Sequence, residues 1–483
     1  MVHLGPKKPP TRKGSLIDVP ESLKEKVDQL HTLFWVTPEK LKSITTHFVS
    51  ELEKGLSKAG GNIPMIPGWV FEYPTGKEKG DYLAIDLGGT NLRVCLIKLG
   101  GDRTFDTIQS KFALPKDIRT TESENLWDFI AVSLRDFLHE EFPEGSVHKL
   151  PLGFTFSYPA TQTALNHGVL QRWTKGYDIK GVEGHDVVPM LQKALDKYDL
   201  PIEVTALIND TTGTLVASAY TDPETQMGLI FGTGCNGAYF EKVNRIPKLE
   251  GKLCDDVDLE GLMAINCEYG AFDNEHKVLP RTKYDVIIDE ESPRPGQQAF
   301  EKMISGYYLG EVMRLVLLDL YADGFIFKNQ DISKLNEAYI LDTSFPAKIE
   351  EDPFENLSDT NELIQTLLGI KTTKPERHLI RKLAEFVGER SSRLSVCGIA
   401  ALAKKRGLTE CHAAADGSVY NKYPNFKERA ANALNDIFDW NLPADKHPIK
   451  IVAAEDGSGA GAAIIAALAE NRLAKGLSLG ERS

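Results

Sequence analysis

Apolar residues at Leu41, Ile44, Phe48, Val49, Leu52 and Leu56 recur at helical spacing. Thr37-Pro38-Glu39 marks the start of that helix. Thr37 is a good N-cap, Pro38 suits the first helical position, and Glu39 complements the positive terminus. The Gly60-Gly61-Asn62-Ile63-Pro64 stretch ends it and opens a connector towards Gly80. The period then changes. Tyr82–Asp86 and Arg93–Leu99 are short apolar runs that predict strands joined by Leu87-Gly88-Gly89-Thr90-Asn91-Leu92. Met227–Phe231 and Ala238–Val243 repeat the plan around Gly232-Thr233-Gly234-Cys235-Asn236-Gly237. A helical stretch, Leu126–Glu141, and strands at Leu152–Phe156 and Ile202–Ile208 lie between the two hairpins. Such alternation predicts an α/β fold, and the paired hairpins predict a duplicated unit facing a shared ligand.

Downstream, Gln297–Tyr321 is apolar around most of its circumference and predicts one buried helix. Asp352–Asp359 reads as an acidic, solvated loop. Ile449–Ala453 reads as a strand, followed by a Gly-rich turn at Gly457–Gly461 and an Ala-rich helix. Residues 1–18, with Pro, Gly and several Lys/Arg, read as a flexible basic arm.

Composition narrows the functional classes. A chain of 483 residues exceeds what one hydrophobic core usually supports, so two domains are expected. A net charge of −13 argues against broad nucleic-acid binding, which needs a basic face. It leaves ATP open, because backbone N–H groups and Mg²⁺ handle phosphates locally. Cysteines 95, 235, 254, 267, 397 and 411 form no CxxC pair, so neither a zinc site nor a disulfide framework is expected. The N-terminus lacks the apolar stretch of a signal peptide, and the longest apolar run, Gly459–Ala469, is too short to span a bilayer. The expectation is a cytoplasmic protein with no membrane and no nucleic-acid partner.

The chain has no Gly-x-x-x-x-Gly-Lys-Ser/Thr loop. Gly232-Thr-Gly234-Cys-Asn-Gly237 matches GxGxxG, but that motif holds pyrophosphate at the start of a helix, and here a strand follows. A dinucleotide site is therefore rejected. Tight Gly turns can still aim successive N–H groups at an anion. Gly88, Gly89, Thr90 and Asn91 form one candidate, and Gly232, Thr233 and Gly234 another; each could equally be a structural turn. Asp86 sits where a carboxylate could hold a water on Mg²⁺, or could cap the turn. Asp210 follows the strand Ile202–Ile208, where a carboxylate projects into the cleft of an open α/β sheet. A helix start beside it would favour the ionised form a general base needs, although an N-cap role is the plain alternative.

Several segments together resemble the hexokinase family. These are Leu83–Arg93 (LAIDLGGTNLR), Leu152–Pro159 (LGFTFSYP), Trp173–Gly176 (WTKG), Ile208–Gly213 (INDTTG) and Gly232–Asn236 (GTGCN). The similarity runs from about residue 20 to the end and looks most like a fungal, yeast-type hexokinase. The resemblance implies the two-domain sugar kinase, heat-shock chaperone and actin-type (ribonuclease H-like) α/β fold with a central cleft. It implies a large domain of 19–76 and 211–457 and a small domain of 77–210 and 458–483. The activity it implies is ATP-dependent phosphorylation of hexoses (glucose, also fructose and mannose) at the 6-hydroxyl, the first step of glycolysis. Asp210 and Lys175 would be catalytic. Sugar hydroxyls would meet Ser157, Thr174, Lys175, Asn209, Asp210, Asn236, Glu268 and Glu301. ATP would meet Asp86, Leu87, Gly88, Gly89, Thr90, Asn91, Lys111, Thr233, Gly306, Thr343 and the run Asp416, Gly417, Ser418, Val419, Tyr420, with the Gly457–Gly461 turn nearby. Mg²⁺ would be held mainly by the ATP phosphates, with no dedicated protein metal site.

Two rivals remain at this point. A chaperone-like ATPase on the same superfold would not need the Phe-Ser-Tyr-Pro or Trp-Thr-Lys-Gly segments. A sugar-sensing regulator would keep the site and act through partners. Arg12-Lys13-Gly14-Ser15 resembles a basophilic kinase target, and phosphate on Ser15 would offset the arm's positive charge. The arm is accordingly expected to influence homodimer formation.

Overall fold

The computed structural model describes residue 16 and residues 19–88, 90–145, 148–173 and 177–482. The expectations placed on residues 1–15 (including Ser15), Gly89, Thr174, Lys175 and Gly176 lie outside the described residues. The first part of the chain runs α1 Glu21–Phe34, α2 Pro38–Ser57, β1 Ile66–Pro67, β2 Lys79–Leu87, β3 Asn91–Gly100 and β4 Phe105–Ala113. It continues through α3 Ser123–Glu141, β5 Leu150–Thr155, β6 Ala160–Ala164, β7 His167–Leu170, α4 Val187–Lys197, β8 Ile202–Ile208 and α5 Asp210–Thr221. Next come β9 Thr225–Phe231, β10 Cys235–Lys242, β11 Leu262–Asn266, α6 Lys283–Glu291, α7 Ala299–Ile304, α8 Gly306–Ala322, α9 Ser344–Glu351 and α10 Ser358–Leu368. The chain closes with α11 Lys374–Arg406, β12 Cys411–Asp416, α12 Ser418–Lys422, α13 Phe426–Phe438, β13 Ile449–Ala453 and α14 Ala462–Ala474.

Two sheets carry the molecule, in the orders β4-β3-β2-β5-β8 and β1-β11-β10-β9-β12-β13. Leaving aside the edge strand β1, both are the same design. Three antiparallel strands in meander are followed by two strands added in parallel on the far side. The duplicated unit read from the two hairpins is thus present as two sheets of equal topology.

Strand parity assigns the faces of the first sheet. Leu83, Ile85, Leu87, Leu92, Val94 and Leu96 point into a core closed by α3 and α4, where Leu126, Ile130, Leu134 and Leu191 are buried. Tyr82, Ala84, Cys95 and Ile97 point the other way, into the core that also takes α5 and α14. Helix α14 comes so close to β5 that a Cβ on Gly153 would stand 2.2 Å from the Ala462 carbonyl oxygen. In the second sheet, a Cβ on Gly228 would meet the Leu215 backbone nitrogen at 2.5 Å, so α5 lies directly on β9. Helix α5 therefore packs in the core between the two sheets, with its first turn beside the site described below.

Two expectations are corrected, and one helix was not foreseen. Gln297–Tyr321 is two helices, α7 and α8, because Ser305 is extended at ψ 155°. The Gly306 N–H leaves the helical ladder to donate to Gly232 O at 2.8 Å, which diverts the chain at that point. Asp352–Asp359 is not a solvated loop throughout. Asp352 is buried, its carboxylate accepts from the Thr360 N–H at 2.7 Å and hydroxyl at 2.8 Å, and Asp359 is already in α10. Helix α1, ahead of the helix at Pro38, was not anticipated. It has no side-chain cap, and packing of Leu23, Val27, Leu30 and Phe34 holds it. The Thr37 cap on α2 is present, accepting from the Lys40 N–H at 3.2 Å.

Candidate functional site

The loop after β5 carries Ser157, and the junction between β8 and α5 carries Asn209 and Asp210. Asn209, not Asp210, is the N-cap of α5. Its Oδ1 accepts from the Thr211 N–H at 2.9 Å, leaving Asp210 in the first turn, where the helix terminus favours a negative charge. This settles the alternative raised for Asp210 by sequence: its neighbour does the capping.

Across from these, β10 and the end of β11 bring up Asn236, Asn266 and Glu268. Asn236 Nδ2 donates to Asn266 Oδ1 at 2.7 Å and to Glu268 Oε1 at 2.9 Å, and Asn266 Nδ2 donates to the same Glu268 oxygen at 2.9 Å. Two amides thus hold one carboxylate. Glu301, in the first turn of α7, accepts from the Cys235 N–H at 2.9 Å. A Cβ on Gly234 would stand 2.7 Å from Glu301 Oε2, so only glycine lets this carboxylate reach the β9–β10 turn. Burial raises the pKa of Glu268 from its ordinary value, and the nearby Asp210 and Glu301 carboxylates add to the rise. Burial likewise raises Glu301.

A cavity of about 400 Å³ is lined by Ser157 and Asn209 from one side and by Asn266, Glu268, Arg294 and Gln298 from the other; Asp210, Asn236 and Glu301 stand behind lining residues rather than on its wall. Glu268 and Gln298 are both left-handed, at φ 55° and 57°, a conformation that costs a non-glycine residue and clusters at binding sites. Gln298 Oε1 is buried with no donor from the protein, as expected of a group left for a ligand. Asn266, Arg294 and Gln298 were not singled out from sequence. Gln298, three residues ahead of Glu301, was the one with a usable signal: a polar residue leading into an apolar helix.

The nucleotide candidates fall into two groups, one on each sheet. In the first, register places Lys111, Arg93, Asp86 and Thr155 in one row across β4, β3, β2 and β5. By parity this row faces away from the α3/α4 core and towards the Gly457–Gly461 turn. Arg93 Nη1 donates to Asp456 Oδ1 at 3.0 Å, and the Thr155 hydroxyl donates to Ser458 O at 2.9 Å. Gly88 and Thr90 close the turn beyond the row, with the Gly88 N–H donating to Asn91 O at 3.0 Å and Asn91 Nδ2 to the Thr90 hydroxyl at 2.9 Å. Leu87 departs from this group: its side chain is buried in the α3/α4 core, leaving only backbone for a ligand.

In the second group, Gly232, Gly306, Thr343 and Gly417 converge. The Thr343 hydroxyl donates to Gly306 O. A Cβ on Gly306 would meet Gly232 O at 2.9 Å, and one on Gly417, at φ 112°, would meet Phe231 O at 2.4 Å. Thr233 and Ser418 are exposed beside them, whereas Val419 and Tyr420 are buried in the core, again presenting backbone alone. Asp416 Oδ1 accepts from Asn421 Nδ2 at 2.8 Å. These close glycine approaches form a cradle that side chains would fill, which fits a nucleotide's phosphates. One carboxylate, Asp86, in a row with Arg93 and Lys111 suits a cation carried by phosphates rather than a protein-held metal. Among the described residues, the grouping of three metal-capable side chains is Asp222, Glu224 and His412, at the opposite end of α5.

Comparison with known proteins gives the site its context. Two family models, both described as hexokinase, match residues 26–220 and 226–468. The chain is 70% identical to the hexokinase of Schwanniomyces occidentalis over 479 residues, covering 99% of this chain and 100% of that protein. It is 66% identical to hexokinase-2 of Saccharomyces cerevisiae, covering 99% of both. Among solved structures, the hexokinase from Schistosoma mansoni complexed with glucose is 34% identical with a TM-score of 0.80, covering 92% of this chain and 99% of that one. The α/β, two-domain sugar kinase fold is shared with it. With both halves matched and fungal relatives aligned along nearly its whole length, the chain belongs to the hexokinase family, on its fungal branch.

Proposed function

We propose that the chain transfers the terminal phosphoryl group of ATP to the 6-hydroxyl of glucose, fructose or mannose, with Asp210 accepting the hydroxyl proton. Family membership carries the broader reaction: a hexose is phosphorylated at the expense of ATP, the first step of glycolysis. What supports the finer reading is one cavity where Ser157 and Asn209 meet Asn266 and Glu268.

A polyol is well solvated in water, so a site that selects it needs several directed hydrogen bonds in a dry place. Glu268, Glu301, Asn209, Asn236 and Ser157 supply acceptors and donors, with Thr174 and Lys175 from the Trp173 segment. Gln298 Oε1, lacking a protein donor, suits a sugar O–H. As the new O–P bond forms, the hydroxyl proton passes to the Asp210 carboxylate. The bond to the bridging oxygen breaks, and ADP leaves with that electron pair. Catalysis of this kind is mostly alignment and charge stabilisation, and Lys175 would offset charge on the transferred group. Asp86, Gly88, Gly89, Thr90, Asn91 and Lys111 would take one side of the nucleotide. Thr233, Gly306, Thr343 and the backbone of 416–420 would take the other. Mg²⁺ bound to the phosphates would neutralise their charge, with Asp86 reaching it through water.

In this reading the small domain is 77–210 with 458–483, the large domain is 19–76 with 211–457, and sugar draws them together to exclude water. The enzyme works in the cytoplasm; no helix among the described residues is long and apolar enough to cross a membrane. Its basic arm, through Ser15, adjusts homodimer formation, which sedimentation of a Ser15→Glu variant would report. Coupled-assay kinetics with ATP and several hexoses test the central reading. Saturable, sugar-dependent ADP release is expected, and ATP turnover indifferent to sugar would overturn it.

A further inference from the structure

Two parts of the proposed site sit on different segments of the first sheet's surroundings: the sugar-facing loops at Ser157 and Trp173, and the phosphate turn at Gly88. One side chain touches both. The Tyr177 hydroxyl donates to Gly88 O at 2.9 Å. Its ring stacks on Trp173, with centroids 5.3 Å apart and planes at 22°, and meets Tyr158 edge-on at 5.5 Å. Tyr158 follows Ser157 in the chain, packs edge-on against Trp173 at 5.0 Å, and itself lines the cavity.

This bracket is anchored at its other corners. Trp173 Nε1 donates to Ile179 O at 3.0 Å, and the Trp173 N–H donates to Glu183 Oε1 at 2.6 Å. The Asp178 N–H donates to Arg119 O at 2.7 Å, and the Arg119 guanidinium lies 5.8 Å over the Tyr177 ring. Burial holds the Tyr177 hydroxyl above its ordinary pKa, so it stays a protonated donor. Trp173, Tyr158 and Tyr177 are all buried, so a shift of one ring displaces the next. At the far end, a carbonyl held by Tyr177 cannot swing its lone pairs towards a phosphate that they would repel.

We propose that Tyr177 is a positioning residue that couples hexose binding in the cavity to the setting of the Gly88 turn, so that bound sugar raises the affinity for nucleotide phosphates. The inference rests on the site reading above and deepens it. Sugar contacts at Ser157 and Tyr158 bear on the packed Tyr158–Trp173–Tyr177 stack, and the stack sets the direction of the Gly88 carbonyl. Linkage requires the reverse as well: nucleotide should tighten sugar binding by the same factor.

The test uses the full chain and Tyr177→Phe, which keeps the ring and removes the hydroxyl. Calorimetric titration with MgADP, with and without saturating glucose, gives the coupling factor for each protein. In the wild type we expect glucose to tighten MgADP by at least about fivefold. In Tyr177→Phe that factor should fall towards one. Glucose affinity measured alone should stay within about twofold of wild type, since the ring packing stays and only the neutral interactions of one hydroxyl, with Gly88 O and with the Tyr158 hydroxyl, are lost. Tyr177→Leu, which also removes the stack, should lose glucose affinity in addition. A wild-type coupling factor retained in Tyr177→Phe overturns the inference. So does a wild type whose MgADP affinity ignores glucose, or a Tyr177→Phe variant that loses both affinities equally, which would mark Tyr177 as packing only. A wild type that shows no sugar-dependent turnover would instead sink the site reading itself.

Discussion

Asn236 grips Glu268 from both ends: its Nδ2 donates to the Glu268 carboxylate at 2.9 Å, and its Oδ1 accepts the Glu268 backbone N–H at 2.9 Å. The reciprocal pair holds a left-handed, largely buried carboxylate at the cavity wall, where an unsupported side chain would relax. Glu268→Gln keeps an oxygen for both amides but removes the charge that a sugar hydroxyl would donate to. A hydrogen bond to a charged group contributes about 1.5–3 kcal/mol, so hexose affinity should fall roughly tenfold or more while the fold persists. Sugar titration followed by intrinsic fluorescence checks this.

Asp210 is tested by its removal. With Asn209 capping α5, Asp210→Ala should leave the helix start intact and hexose binding near normal, while turnover falls by about 10²–10⁴-fold, the usual loss for a general base. Glucose-dependent ADP release measures it. Near-normal turnover would take Asp210 out of the base role.

The pH dependence of stability follows from the buried carboxyls. Burial, then neighbouring carboxylates, raises Glu268, and burial raises Glu301. A carboxyl with a higher pKa folded than unfolded favours folding when protonated. That contribution is complete below the unfolded value, about pH 4.3, and is lost as pH climbs through the folded one. The sugar-free protein should therefore lose this part of its stability as pH rises towards neutrality, and the double variant Glu268→Gln/Glu301→Gln should show a flatter profile. Denaturant midpoints at about pH 5 and about pH 7 would read the difference. An unchanged slope would remove these two groups as its source.

Gly417 should be intolerant of a side chain. At φ 112°, with Phe231 O 2.4 Å from where a Cβ would stand, Gly417→Ala must move backbone in the glycine cradle proposed for the nucleotide phosphates. A strain of about 1–3 kcal/mol is expected, with KM for ATP rising about tenfold and KM for hexose little changed. Initial-rate kinetics varying each substrate separately give the answer.

Closure is testable in solution. If hexose draws the two sheets' domains together, small-angle scattering with saturating glucose should report a smaller radius of gyration than without it. Identical curves would count against sugar-induced closure.

The α/β class and the two hairpins were legible because short apolar runs and Gly-Thr turns are local signals. The Thr37 cap and the Ile449–Ala453 strand were legible for the same reason. Leu87, Val419 and Tyr420 show the limit of motif reading, since a motif marks a segment without saying which way its side chains face. The break at Ser305 had one local sign, the Ser305-Gly306 pair inside the apolar pattern, but its cause, the carbonyl of Gly232, lies far away in the chain.

Asn266 and Gln298 carry the same lesson. One is an ordinary strand end and the other a polar residue leading into a short helix, until the tertiary fold turns both onto the cavity.

What the chain's sequence determined alone was the fold class, the main strands and hairpins in order, and the carboxylates and glycines available at their ends, since period, caps and turns act within a few residues. Which of those groups share a cavity, and which carboxyls lose their water, only the tertiary structure decided. Desolvation, cross-strand register and the reach of one ring to a distant carbonyl depend on neighbours that come together when the two sheets and α5 pack.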